Sequence, residues 1–526
     1  MFYNNFIYNF LLDRKSSSEI TFIPENLWTG NPNEGKKIID GFLSFNGESI
    51  AFNKKVWRKN NASMSWNEEL QTFEWIKNVK ALGTNKARLF LRDNIREWIK
   101  FNHTWDPIIW RNDILAKRIF HLMSNMSFFY ETADENFQKK FTKLLNKQSV
   151  HLIKTYKKKD YGDKKIFIAK AIILSSLSFK NLSGKLNSGI NYLRQVINKD
   201  ILDDGLHYLR SPSEQFIFLQ SLIDIKNLLG LSKIVIPKFL NENIYKLSSV
   251  LKFFKIGNGE LSIFNKYRFI DPDEINEVLK RSNSKLKIPD TLKLSGFQRI
   301  SENRLSFLMD CGKPTQEKTH ASSLSFEFSH GSEKIVVNCG SPFINNKQLS
   351  EALRSTAAHS TISIDDINSS DIFFEKNSTS RIANVWSEKL KDRNNFWINS
   401  AHSGYKDLFG LVHNRKIHID TEKLIIRGQD YFSRPLKQNN KIPKMLFLRF
   451  HIHPDVKLSA TASKRKVVLK LQNNLGWEFI CSEPKIQINE GIYFGARKLR
   501  KKNNHILISE NIVPEKRIKW LFRIIK

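Results

Sequence analysis

Cysteine is nearly missing from this 526-residue chain: there are three, Cys311, Cys339 and Cys481, in separate segments and with no CxxC pair. That excludes a zinc ribbon and a dense disulfide scaffold, and Cys339, inside the apolar run IVVNCG, reads as a buried free thiol. Also lacking is any apolar run as long as a bilayer span. The stretch MFYNNFIYNFLLDRK has neither a basic leading region nor a small-residue cleavage site, so no signal peptide is read there and a cytoplasmic location stays open. No GxGxxG, Walker A, HExxH or GxSxG string occurs, which removes the usual support for nucleotide binding and for the commonest hydrolases and proteases. Acidic residues are few beside basic ones, 52 Asp+Glu against 85 Lys+Arg, for a formal net charge of +33.

Such an excess attracts polyanions, whether nucleic acid, acidic polysaccharide or anionic lipid. It is spread along the chain, with abundant Asn and Ile, as an AT-rich genome would also produce. The basic clusters TYKKKDYGDKK (155–165) and ARKLRKKNN (496–504) read as solvated faces. They are not interleaved with stacking aromatics as single-strand binders require, so nucleic acid is not the favoured partner.

What is present is enough apolar material for large cores, 40% apolar and 12% aromatic, on a chain too long for one ordinary domain. From about 66 to 256 the period is helical. In ELQTFEWIKNVKALG, Leu70, Phe73, Ile76, Val79 and Leu82 recur at threes and Gly83 supplies a stop. In SEQFIFLQSLIDIKNLLG, Phe216, Leu219, Leu222, Ile223 and Leu229 form an apolar stripe, and Ser211-Pro212 opens that helix as a cap followed by proline. After about 290 the period becomes two. LSFEF and KIVVN flank SHGSE as a hairpin, and further short strands follow, as in a large antiparallel sandwich. The basic stretch 280–296 reads as the linker. The expected division is a lead-in at 1–65, a helical domain at 66–285 and a sandwich at 291–526.

Five segments hold residues suited to chemistry. DDGLHYLRSPSEQ (203–215) sets His207, able to move a proton, beside Arg210, able to grip a carboxylate; the bland alternative is an ordinary helix entry with Arg210 capping it or pairing with Glu214. KTHASSLSFEFSHG (318–331) places His320 at a strand mouth and His330 in a hairpin turn, solvated. RSTAAHSTISIDD (354–366) puts His359 before another strand. SAHSGYKDLFGLVHNRKIHID (400–420) carries His402, Tyr405, His413 and Arg415, where Tyr405 is a phenolic acid or base or else packs over a sheet edge. LRFHIHPDV (448–456) offers His451 and His453 as half a metal site, but without an Asp/Cys cluster to complete it a structural role is preferred.

Taken in order, DGLHYLRSPSEQ, THASSLSFEFSHGSEKIVVNCG, RSTAAHSTISIDD, AHSGY, VHNRK and FHIHP resemble the heparinase II/III-like polysaccharide lyases over about 200–500. WDPIIWRNDILAKRIFHL (105–122) is similar to that family's helical domain. The resemblance implies an (α/α) toroid followed by an antiparallel β-sandwich, β-elimination on a uronic-acid-containing polysaccharide, and a cell-envelope or periplasmic setting. It implies His207 and Arg210 as carboxylate neutralisers, His320 as the catalytic sandwich His, Tyr405 as an aromatic facing the cleft, and His359, His402 and Arg415 as substrate contacts, converging on one cleft between the domains. The chain departs from the pattern in three places. The stretch KIGNGELSIFNKY (255–267) reaches a Tyr only at Tyr267, where the family carries its catalytic Tyr earlier. His320-Ala321-Ser322 replaces a metal-binding HxD, and Asn338 replaces the usual Asp of the next strand, so no metal or other cofactor is expected. An impaired chain that binds or helps assemble glycan is the alternative to a lyase.

Overall fold

The computed structural model describes residues 6–58, 60–315, 320–342, 346–372, 381–433, 441–496 and 499–525. Helices dominate up to Ser282 and antiparallel strands follow. The chain divides into two compact units, 1–200 with 220–242, and 201–219 with 243–526.

In the first unit, helices start where the sequence offers caps. The Thr84 side chain accepts from the Ala87 amide to open Asn85–Asn102, and Asp134 does the same for Phe137 to open Glu135–Thr155, the usual satisfaction of orphan amides. The stripe Leu70 to Leu82 is not one helix. Met64–Leu70 and Ile76–Lys80 are separate, broken at Phe73, whose φ is +58°. The Thr72 hydroxyl bonds the Glu69 carbonyl and the Trp75 indole bonds the Leu70 carbonyl, so these acceptors serve side chains instead of a further turn. Leu70, Phe73, Ile76 and Val79 are all buried even so.

The 1–65 stretch is more than a lead-in. Helix Phe6–Lys15 is tied down by Tyr8 Oη to His151 Nδ1 at 2.7 Å and by Asp13 to Lys147 at 3.0 Å. Phe42–Phe45 and Glu48–Ala51 pair as a small hairpin. Nor does the division fall at 280–296, because 201–219 bonds to residues of the second unit: Ser295 binds the Asp204 carboxylate, and Ser213 Oγ donates to the Arg268 carbonyl at 2.8 Å.

The second unit holds an eight-stranded and a nine-stranded antiparallel sheet among its described residues. The expected hairpin is there, Phe326–His330 with Glu333–Val337. Ile398, Ile417, Ile426 and Phe522 of one sheet and Phe326, Phe328, Leu448 and Ile506 of the other share a single core, which makes the unit a sandwich. His330 is not solvated but lies on its strand, 4% exposed. Cys311, Cys339 and Cys481 are buried free thiols; burial pushes the first two up to about 12.

Candidate functional site

Arg210 ends the tight turn that begins at His207, its amide bonding the His207 carbonyl at 2.8 Å and its φ at +52°. The turn precedes helix Pro212–Leu231, where Ser211 Oγ accepts from the Glu214 amide at 3.3 Å as the expected cap. The Arg210 guanidinium, 3% exposed, forms an ion pair with Asp310. Its Nε donates to the Ser295 carbonyl at 2.8 Å, and the group lies over the Phe297 ring at 4.7 Å. Asp310 also accepts from Ser322 Oγ at 2.9 Å and from the Gly312 amide at 3.1 Å. A Cβ on Gly312 would stand 2.2 Å from Arg210 Nη2, so glycine there makes room for the guanidinium. Arg210 neither caps its helix nor pairs with Glu214, which pairs with Lys266 instead. The expectation that Arg210 stands open to a substrate carboxylate is corrected: a carboxylate of the protein already occupies it.

Asn265 joins this turn to His320. Its Nδ2 donates to the Arg210 carbonyl at 2.9 Å and its Oδ1 accepts from the His320 amide at 3.3 Å. His320 Nδ1 lies 3.0 Å from His359 Nε2, and His359 Nδ1 lies 2.7 Å from the Ser355 carbonyl. A carbonyl only accepts, so His359 carries its proton on Nδ1 and its Nε2 accepts from His320. That leaves the lone pair of neutral His320 on Nε2, 3.4 Å from Ser341 Oγ. Burial holds His359 down at about 4 and His320 well below the ordinary imidazole range. This is the arrangement of an oriented base.

Tyr267 reaches the same spot only by its backbone, its amide bonding Ser341 Oγ at 3.0 Å. Its phenol is buried and donates to the Gly495 carbonyl at 3.3 Å, with burial raising its pKa well above the ordinary value. His207 is 1% exposed; its Nδ1 accepts from the Leu209 amide at 3.3 Å and its ring packs on Phe218.

The remaining candidates form a second network inside the sandwich. Asp430 accepts from His413 Nε2 at 2.7 Å, Arg415 Nε at 2.7 Å and Trp520 Nε1 at 2.8 Å. His402 Nδ1 accepts from the Gly404 amide and its Nε2 lies 3.1 Å from His413 Nδ1. Arg415 also donates to the Leu324 and Ser360 carbonyls. Tyr405 is fully buried, its hydroxyl 3.1 Å from the Ile362 carbonyl. A cleft-facing Tyr405 and a substrate-contacting Arg415 are therefore corrected: both are packed between the sheets with their polar atoms bonded to protein. His451 likewise bonds the Ala357 carbonyl at 2.9 Å and lies 3.3 Å from Cys339 Sγ. Among the described residues no three His, Cys, Asp or Glu side chains are grouped to hold a metal.

Thus Arg210, His320 and His359 are brought together, with Tyr267 adjoining by its backbone, while His402, Tyr405 and Arg415 sit apart. Sequence reasoning missed Asp310, Asn265, Ser341 and Asp430, which decide what those groups can do. It also missed Glu327, a fully buried carboxylate that accepts from the Ile263 and Asn338 amides at 3.0 Å each and that burial pushes up to about 7. Charged residues inside apolar strands, as in LSFLMDCG and LSFEF, were the available signal.

The family model described as Heparinase II/III-like, C-terminal, matches residues 285–521. FtsZ-localized protein C of Caulobacter vibrioides is 24% identical over 512 residues, 93% of this chain and 88% of that protein. Among solved structures, a heparinase III matches with a TM-score of 0.76 at 14% identity, covering 98% of this chain and 89% of that one. The heparan sulfate lyase HepC of Pedobacter heparinus matches at 0.63 and 13%, covering 98% and 87%. Residues 285–521 thus match the heparinase II/III-like C-terminal model, on a chain that has the fold of heparinase III.

Proposed function

We propose that this chain binds an acidic, uronate-containing glycan through its heparinase fold and does not cleave it. Elimination needs a donor to neutralise the uronate, a base for its acidified proton and an acid for the leaving oxygen. The observation that carries the reading is the Arg210–Asp310 ion pair, which leaves the matching cation already neutralised. The phenols of Tyr267 and Tyr405 are likewise bonded to backbone carbonyls. The charge of +33 suits a polyanionic partner. A relative that spans 93% of the chain is named for localisation with FtsZ, and we place this chain beside FtsZ as well.

A polysaccharide lyase is the second reading. It is favoured by the oriented His320–His359 pair, which would serve as the base. Calorimetry with heparin and with a neutral glucan tests the binding claim. Heparin is expected to bind, weakening as salt is raised, while the glucan does not; equal binding of both, or of neither, would refute it.

A further inference from the structure

The outer face of the eight-stranded sheet has a composition that the core does not explain. On strand Asn395–Tyr405 the side chains alternate, with Phe396 and Ile398 inside and Trp397 outside. Trp397 stands opposite Leu390 on the edge strand Val385–Asp392, and Trp386 lies on the same face. These three are 36%, 52% and 56% exposed. Large apolar side chains grouped in the open mark binding surfaces more often than chance.

Next to them the register sets cations. His418 pairs with Trp397 on one side and Arg427 on the other. The His418 and Trp397 ring centroids are 5.1 Å apart, and Arg427 Nη1 donates to His418 Nδ1 at 3.3 Å, which fixes the indole and the guanidinium on either side of the imidazole. In the neighbouring row Asn399, Lys416, Gln429 and Lys519 follow one another across four strands, with Lys416, Arg427 and Lys519 exposed. Glu388 and Asp392 are exposed carboxylates on the same face of the edge strand, Glu388 between Trp386 and Leu390 and opposite Asn399. Strands lie about 4.8 Å apart, so Lys416 and Lys519, two strands apart in one row, stand about 10 Å from each other, with Arg427 one row over between them.

We propose that this face, through Trp386, Trp397, Lys416, Arg427 and Lys519, is a platform for an acidic polysaccharide. It rests on the acidic-glycan reading above and gives it a place outside the histidine cluster. Indole faces take the apolar side of pyranose rings, amides take hydroxyls, and the cations take carboxylate or sulfate groups. Trp386, Lys416 and Lys519 are exposed, and Arg427 and Trp397 are held in place by His418.

The test uses the intact chain and heparin. Trp386→Ala with Trp397→Ala, and separately Lys416→Gln with Arg427→Gln, are each expected to weaken heparin binding by tenfold or more, about the loss of one good interaction. Both should keep the wild-type thermal midpoint, because the altered side chains are exposed. Lys502→Gln, on the other sheet, should stay within about twofold. If the wild type binds heparin and both double variants bind it equally well, the platform is wrong and the glycan reading survives. If the wild type fails to bind heparin, the glycan reading itself falls. Tighter binding of single-stranded DNA than of heparin at this face would assign it to nucleic acid and overturn the proposal.

Discussion

Arg210→Ala is expected to lower the unfolding free energy by about 3–5 kcal/mol, the usual cost of removing one partner of a buried pair. Asp310 is 1% exposed on its side chain and would keep only its bonds from Ser322 and Gly312, too few to solvate a carboxylate away from water. The stack on Phe297 and the bond to the Ser295 carbonyl would go as well. Arg210→Lys should fall between the two, because an ammonium keeps the charge but not the planar fork, at a cost of about 1.5–3 kcal/mol. Urea unfolding of the three proteins reads this directly. A loss below about 1 kcal/mol for the alanine variant would fit a surface pair and remove the argument that Asp310 has claimed this cation. A substrate-gripping arginine makes the reverse prediction, with glycan handling impaired and stability untouched.

Acidification should destabilise the protein well before its ordinary, unshifted carboxylates protonate. Burial holds His151 and His359 at about 4, and His320, His402 and His451 well below the ordinary value. Unfolded imidazoles take their proton near 6.5. Between the two values the unfolded chain binds more protons than the folded one, so stability is lost as pH falls. For a group held at 4, moving from pH 7 to pH 5 costs about 2 kcal/mol, and several such groups act together. Glu327, pushed up to about 7, and Asp200, to about 6, act in the opposite direction, since their contribution is lost as pH rises. Asp430, held far below the usual carboxylate range by Arg415 and His413, adds acid sensitivity only below about 4. The thermal midpoint is therefore expected to drop steeply from pH 6.5 to 5, and less steeply in His359→Gln. A flat profile over that window would mean that these imidazoles are hydrated and free to titrate in the folded state.

Much of the fold was legible because its burial is periodic. The cap at Ser211 with Pro212, the stripe along 216–229 and the hairpin around Gly331 were all visible in residue spacing. The strands Asn395–Tyr405 and Leu411–Asp420 were not, since their inward positions carry Ser400, His402, His413 and Arg415. Polar residues that satisfy one another inside a core erase the alternation that betrays a strand. The same property hid the site. Motif order put His207, Arg210, His320 and His359 on the page, but whether an arginine is open or spent depends on a partner 100 residues away, and no local pattern encodes that pairing. Tyr405 shows the same limit: the sequence gives a phenol beside a turn, and only the packing of two sheets decides that it faces the Ile362 carbonyl instead of a sugar.

The proposal that this heparinase fold holds its glycan without breaking it is tested most directly by following the absorbance of unsaturated uronate during prolonged incubation of the intact protein with heparin and other uronate polymers. A protein whose cation and phenols are all engaged internally should bind polymer and generate no double bonds above the protein-free control. Steady growth of that absorbance, abolished by His320→Gln, would contradict the account and establish the chain as a lyase.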